Sequence, residues 1–219
     1  MNVKIKNTQL PKWFEVAPLN FKPETTQEIE HIKLPDSKII KLQNRKRQYL
    51  EKKKNKIKTL HELVDRLPVP GEDFHIIGGG NVDAFHIIPC TLHYAPVIEC
   101  MYIATWSMTR ENMQDLLKLF DTGKIREINI VISIFFQGRY KGDCAFLKSE
   151  MKKRNQKIVI CLNHAKIILM NAGGKNLVFQ GSANFTANPR VEQMILSCSR
   201  ELLEFHKEWM DSLLKVVYP

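Results

Sequence analysis

Two hydrophobic rhythms alternate along this chain, and each predicts its own kind of element. Ile57, Leu60, Val64 and Leu67 recur at three- and four-residue steps, which makes one apolar stripe and predicts a helix from Ser37 to about Leu67. "LPVPG", Leu67 to Gly71, ends it. The pattern then turns to strands and helices in alternation. "DFHIIGGGNVDAFHIIP" predicts two short strands around a Gly-Gly-Gly turn, and "VIECMYIATW", Val97 to Trp106, a buried strand. Thr109 stands where it can cap a helix with Met113, Leu116, Leu117 and Phe120 inward and Gly123 as its stop. "EINIVISIFF" predicts the next buried strand, and a mixed helix follows from about Lys141 to Arg154. "KIVICLNHAKIILM" reads as one long strand, "NAGGKN" as its turn and "NLVFQGSANF" as the return strand. From Val191 to Val217 the pattern predicts an amphipathic helix with Met194, Ile195, Cys198, Leu202, Phe205, Trp209 and Leu213 on its inner side.

Strand–helix–strand order implies right-handed crossovers, and the Asn-Ala-Gly-Gly turn adds an antiparallel hairpin. The expected class is therefore α/β, with a mixed, mostly parallel sheet and helices on both faces. Three regions are expected. Residues 1–36, with Pro11, Pro18, Pro23 and Pro35, read as an extended arm; 37–70 as a basic helix and linker; 71–219 as the catalytic domain. The 219 residues are 44% hydrophobic and 26% charged, a globular composition. No apolar run reaches the length of a membrane span, and "MNVKIKNTQLPKW" is too polar for a secretory signal. A cytoplasmic protein without stable membrane insertion is expected. Five scattered cysteines, an odd number with no CxxC pair, fit reduced thiols. His86, Cys90, His93 and Cys100 are close in sequence, yet their spacing matches no familiar zinc module, so no metal and no cofactor is expected.

Charge sharpens the picture because it is local. The net charge is +10, and between Lys38 and Lys58 there are ten Lys or Arg against one acid, Glu51. Such density exceeds what a solvated helix face needs and marks a footprint for a polyanion. Lys38, Lys41, Arg45, Lys46, Arg47, Lys52, Lys53 and Lys54 are the expected nucleic-acid contacts, with DNA favoured over RNA. Arg139, Lys141 and Arg190 are further candidates for a groove.

The chemistry concentrates in "NHAKIILMNAGGKNLVFQGSANFT", Asn163 to Thr186. On a strand, His164 and Lys166 would share a face while Asn171 points away. An imidazole and an ammonium side by side make sense around an anion: a phosphate would meet a nucleophilic nitrogen and a positive clamp. Gly181 permits close backbone approach, and Ser182 and Asn184 can donate to phosphate oxygens. A second His-x-Lys pair, His31 and Lys33, lacks the Gly-Ser turn and reads as coincidence.

"HAKIILMN" followed by "GSANFT" resembles the phospholipase D superfamily signature, His-x-Lys, four residues, Asp, then Gly-Ser-x-Asn. The resemblance implies a metal-independent phosphodiesterase that works through a phosphohistidine, with two copies of the motif meeting at one site. Carried onto this chain, it makes His164 the nucleophile or acid, Lys166 the phosphate clamp, and Ser182 and Asn184 the rest of the cradle. Glu192 would orient the imidazole, the alternative reading being an ordinary first-turn acid of the last helix. The chain departs from the signature at Asn171, where the family has Asp. With one full motif present, the resemblance implies a homodimer, one His164 from each copy. Three functions follow: an endonuclease of the small dimeric kind, a catalytically silent nucleic-acid-binding module, and, ranked last, a phospholipid phosphodiesterase.

Overall fold

A computed structural model describes residues 38–43, 46–48, 60, 64–79, 83–186 and 190–217. The expected arm, 1–36, lies outside the described residues. The strands are β1 (Lys38–Gln43), β2 (Lys46–Gln48), β3 (Glu72–Gly79), β4 (Ile98–Thr105), β5 (Ile128–Ser133), β6 (Lys157–Cys161), β7 (Ile167–Ala172), β8 (Lys175–Gly181) and β9 (Val191–Cys198). The helices are α1 (Ile87–Tyr94), α2 (Arg110–Asp121), α3 (Ile134–Arg139), α4 (Lys141–Lys153) and α5 (Arg200–Val217). Among the described residues these strands form one sheet in the order β2-β1-β3-β9-β8-β7-β4-β5-β6.

The α/β class, the mixed sheet and the helices on both faces are as expected. On one face Ile98, Met101, Ile103, Ile128, Ile130 and Ile132 meet residues of α1, α2 and α4 such as Ile87, Leu116 and Leu147. On the other, Tyr102, Ala104, Val131, Leu169 and Val178 meet Leu203, Met210 and Leu214 of α5. All six residues of β5 are buried, as a strand covered on both faces requires. Thr109 caps α2 by accepting from the Asn112 amide, and Gly123 follows its end at φ 70°. Gly173 and Gly174 close the β7–β8 hairpin at φ 56° and 72°, a left-handed pair that glycine adopts without strain.

Four expectations change. Parallel pairing is confined to β4–β5 and β5–β6; every other pair is antiparallel, so the sheet is not mostly parallel. The basic stretch is not a helix over Lys38–Gln48: β1 and β2 form a hairpin that joins the sheet beside β3. Its Lys-Ile-Ile-Lys start carries β-branched residues, and pairing with β3 prevails there over the distant apolar stripe. Lys38, Lys41, Lys46 and Arg47 lie on these strands, whereas Arg45, Lys52, Lys53 and Lys54 lie outside the described residues. "AFHIIP" is a helical turn capped by Asp83 and continued by α1, not a second strand. Val191–Cys198 is a strand rather than the start of the last helix. Its Glu192, Met194, Leu196 and Cys198 are buried at period two, between β8 and β3. The inner face of α5 is accordingly Leu203, His206, Met210 and Leu214, and Phe205 is 63% exposed.

The β8–β9 contact is tightest at Gly181. A Cβ there would stand 2.8 Å from the Met194 Cα and still closer to the Gln193 carbonyl oxygen, both backbone atoms. Gly181→Ala is expected to destabilise the chain by about 3 kcal/mol, read as a lowered denaturation midpoint in urea. A midpoint unchanged from wild type would show that the two strands can part without cost.

Candidate active site

Three parallel strands end at the same edge of the sheet, where open α/β sheets place their ligands. Here the chain makes its least expected move. "KIVICLNHAKIILM" is not one strand: β6 stops at Cys161, and Leu162–Lys166 cross the ends of β5 and β4 before β7 begins at Ile167. The crossing is held by the buried Asn163. Its Nδ2 donates to the Thr105 carbonyl at 3.0 Å and the Val131 carbonyl at 3.3 Å, and its Oδ1 accepts from the Ala165 amide at 3.0 Å. His164 and Lys166 therefore sit on a pinned connection, not on alternating positions of a strand.

His164 is exposed, and its ring lies edge-to-face with Trp106, centroids 6.4 Å apart. The Lys166 Nζ donates to the His164 carbonyl at 2.9 Å, and the Gly181 amide donates to the Lys166 carbonyl at 3.2 Å. Burial pushes the Lys166 ammonium below the ordinary lysine range, against the opposing charge of Glu192. Ser182 donates its hydroxyl to Glu192 and accepts from the Gln193 amide at 3.0 Å. Glu192, on β9 and not in a helix, thus serves Ser182 and Lys166 at once. The Asn184 side-chain oxygen is buried without a hydrogen-bond partner, while its carbonyl accepts from Ala84.

These side chains line one open groove of about 1210 Å³, together with Trp106, Arg139, Tyr140, Gln180 and Arg190. Arg139 and Arg190 are where the sequence put them; Lys141 instead lines a separate hollow beside α3 and α4. Asn171 is not in the groove. It is four residues along β7 from Ile167, about 13 Å of strand, and its amide donates to Asn176 across the hairpin. The missing Asp of the signature therefore falls away from the imidazole. Among the hairpin residues, the register aligns Lys38 with Ile77, and Ile77 with Gln193 of the groove. Lys46 and Arg47 pair with Gln43 and Leu42, toward the opposite end of β3.

Several groups that shape the groove escape the sequence pattern. Asn163 reads there as a polar break in an apolar run, which is the one signal it gives. Asp83 and Asn112 brace the Ser182–Thr186 segment: the Asn112 amide donates to Asp83 at 3.2 Å and to the Phe185 carbonyl at 2.9 Å. Asp83 is buried, and burial alone would raise its carboxyl; the His86 imidazole, Asn112 and the Phe85 amide hold it below the usual range. The same hydrogen bond to Asp83 raises His86. Behind the groove the Trp209 indole donates to His206 Nδ1 at 3.2 Å, so the proton of the neutral ring sits on Nε2 and is donated to Gln180 Oε1, also at 3.2 Å. This fixes the Gln180 amide and leaves its NH2 for the groove. Among the described residues, no three His, Cys, Asp or Glu side chains converge as metal ligands. His86 is paired with Asp83, and burial pushes the Cys90 and Cys100 thiols up to about 12. All five cysteines are unpaired, and among the described residues no helix is long and apolar enough to cross a membrane.

The sheet and its groove define an α/β protein with one imidazole and one partly buried ammonium at the strand ends. No protein-family model and no curated protein sequence matches the chain. Parts of its fold are similar to several solved structures. Nuc, a phospholipase D family member from Salmonella typhimurium, aligns with 64% of this chain and 93% of its own at TM-score 0.48 and 17% identity. A polyphosphate kinase from Porphyromonas gingivalis gives 0.49 at 13% identity over 64% of this chain and 26% of that one. A phosphatidylserine synthase from Haemophilus influenzae gives 0.49 at 10% over 68% and 40%.

Burial holds His206 below the ordinary histidine value of 6.5, so below that pH the unfolded chain binds more protons than the folded one. Its contribution to stability is present above pH 6.5 and is lost as pH falls toward the folded value. His86 acts with the opposite sign: raised by Asp83, its contribution is full below 6.5 and is lost as pH rises through its folded value. Exchanging His206→Gln is therefore expected to flatten the decline of the urea midpoint between pH 7 and 5. An unchanged slope would mean that the ring is protonated in the folded state.

Proposed function

We propose that this chain is a metal-independent phosphodiesterase that cleaves nucleic acid, DNA before RNA, through a phosphohistidine. The observation that carries the reading is the joint placement of His164, Lys166 and the Ser182–Glu192 pair on one groove rimmed by Arg139 and Arg190. His164 is exposed and able to attack; Lys166 is close enough to its backbone to be held in place as a clamp. Ser182 and the Asn184 amide supply donors for the phosphate oxygens. Glu192 keeps Ser182 oriented and balances Lys166, and it is our candidate for orienting the imidazole.

Among the described residues His164 is the one histidine on the groove, and the chemistry needs two. The second comes from another copy of the chain related by a two-fold axis. Leu162, two residues before His164, is 82% exposed, and Phe135, just past β5, is 60% exposed. Both are apolar side chains that a second copy docked over the strand ends would cover. One His164 attacks phosphorus, the P–N bond forming as the P–O bond to the leaving oxygen breaks. The second His164 gives that oxygen its proton. Water then gives a proton to the second imidazole and attacks phosphorus, and the P–N bond breaks. The hairpin end at Lys38 would continue the cationic track beyond the groove. The silent-module reading loses its motive, because Asn171 stands apart from the groove.

In EDTA, wild type is expected to hydrolyse bis(p-nitrophenyl) phosphate and to nick DNA, and His164→Ala to lose about 10³-fold or more. Tight DNA binding with no hydrolysis by either protein would return the silent module. Co-expressing wild type with His164→Ala tests the sharing of the site. Activity per wild-type chain should fall in proportion to the wild-type fraction, whereas independent sites would hold it constant.

A further inference from the structure

We propose that the groove takes a single strand, with an unpaired base stacked on Trp106 beside the reacting phosphate. This rests on the phosphodiesterase reading above and specifies its substrate. Trp106 follows β4 directly, is half-buried, and meets the His164 ring in a T-shaped contact. A T-shaped contact takes up at most one face of the indole and leaves the other π-face to a further partner. The bend that carries Trp106 is fixed from below, where the Thr105 hydroxyl donates to the Ser107 carbonyl at 3.1 Å. A second ring, Tyr140, is 41% exposed on the same groove, with the Arg139 guanidinium 5.6 Å from its centroid.

Phosphate chemistry alone needs neither ring. Cations and amide donors suffice to hold a phosphodiester, and Lys166, Arg139, Arg190 and Ser182 already supply them. Exposed aromatic faces among cations are what a strand with free bases uses, because every base has a π-face to offer. In a duplex those faces are stacked on one another, and reaching one means unpairing it. An indole so close to the imidazole would hold the base next to the scissile phosphate and so set that phosphate against the His164 nitrogen. The same stacking serves a DNA or an RNA strand.

The test measures binding in a His164→Ala background, so that nothing is cut. Four probes of one sequence are compared at one salt concentration: single-stranded DNA, single-stranded RNA, the DNA strand with abasic sites at its centre, and the DNA duplex. At least one intact single strand should bind about tenfold more tightly than the abasic strand and more tightly than the duplex. Adding Trp106→Ala should reduce that strand to the abasic affinity, and Trp106→Phe should keep most of it. Equal affinity for intact and abasic strands, or a duplex bound as tightly as any single strand, would overturn the proposal without any change at Trp106. Wild-type hydrolysis of bis(p-nitrophenyl) phosphate separates the two levels. If it proceeds while bases make no difference to binding, only this inference falls; if it is absent, the phosphodiesterase reading falls.

Discussion

The groove depends on the hydrogen bonds of one buried amide. After β6 the chain is at the outer edge of the sheet and must pass over β5 and β4 to reach its next pairing partner. A connection laid over strand ends carries backbone groups that need partners, and the carbonyls beneath it need donors. Asn163 meets both needs, donating to Thr105 and Val131 and accepting from Ala165. No shorter side chain spans those distances, and aspartate has no donor for the two carbonyls. With the crossing pinned at one residue, its neighbours His164 and Lys166 inherit fixed positions above the sheet.

The opposite wall is built by the same economy of backbone contacts. Gly181 lets β8 and β9 close up, which sets Ser182 against Glu192 and Gln193. The segment beyond it is tethered through Asn184 and Phe185 to Ala84, Thr109 and Asn112. Each wall reaches the other where the Gly181 amide meets the Lys166 carbonyl. A lysine so enclosed is held less basic by burial, and Glu192 offsets part of that. The result is an ammonium with limited hydration, which an arriving anion would engage at smaller desolvation cost.

Much of this was legible in the sequence where one rhythm ruled one segment. Thr109 and Gly123 bracket α2 because capping and left-handed turns are local chemistry. Two adjacent glycines announce the β7–β8 hairpin for the same reason. Residues Met194 and Cys198 misled because a four-residue step fits both a helix and alternate positions of a strand, and only pairing with β3 and β8 decides. The crossing at Leu162–Lys166 was hidden because an apolar run on both sides of Asn163 looks continuous; its break exists only once β6 lies two strands away from β4. His-x-Lys and Gly-Ser-x-Asn were legible as chemistry, although the alternation used to place them was not the reason they meet. Trp106 and Gln180 gave no signal at all, since both belong to patterns that core strands share.

The most direct measurement is nuclear magnetic resonance of the histidine rings during titration with tungstate, a phosphate-shaped anion that reacts with nothing here. The account predicts saturable shifts of the His164 ring signals in wild type, with the His206 signals still, and loss of that response in Asn163→Ala while His206 stays unmoved. Shifts confined to other histidines, or a His164 response that survives unaltered without the Asn163 amide, would contradict it.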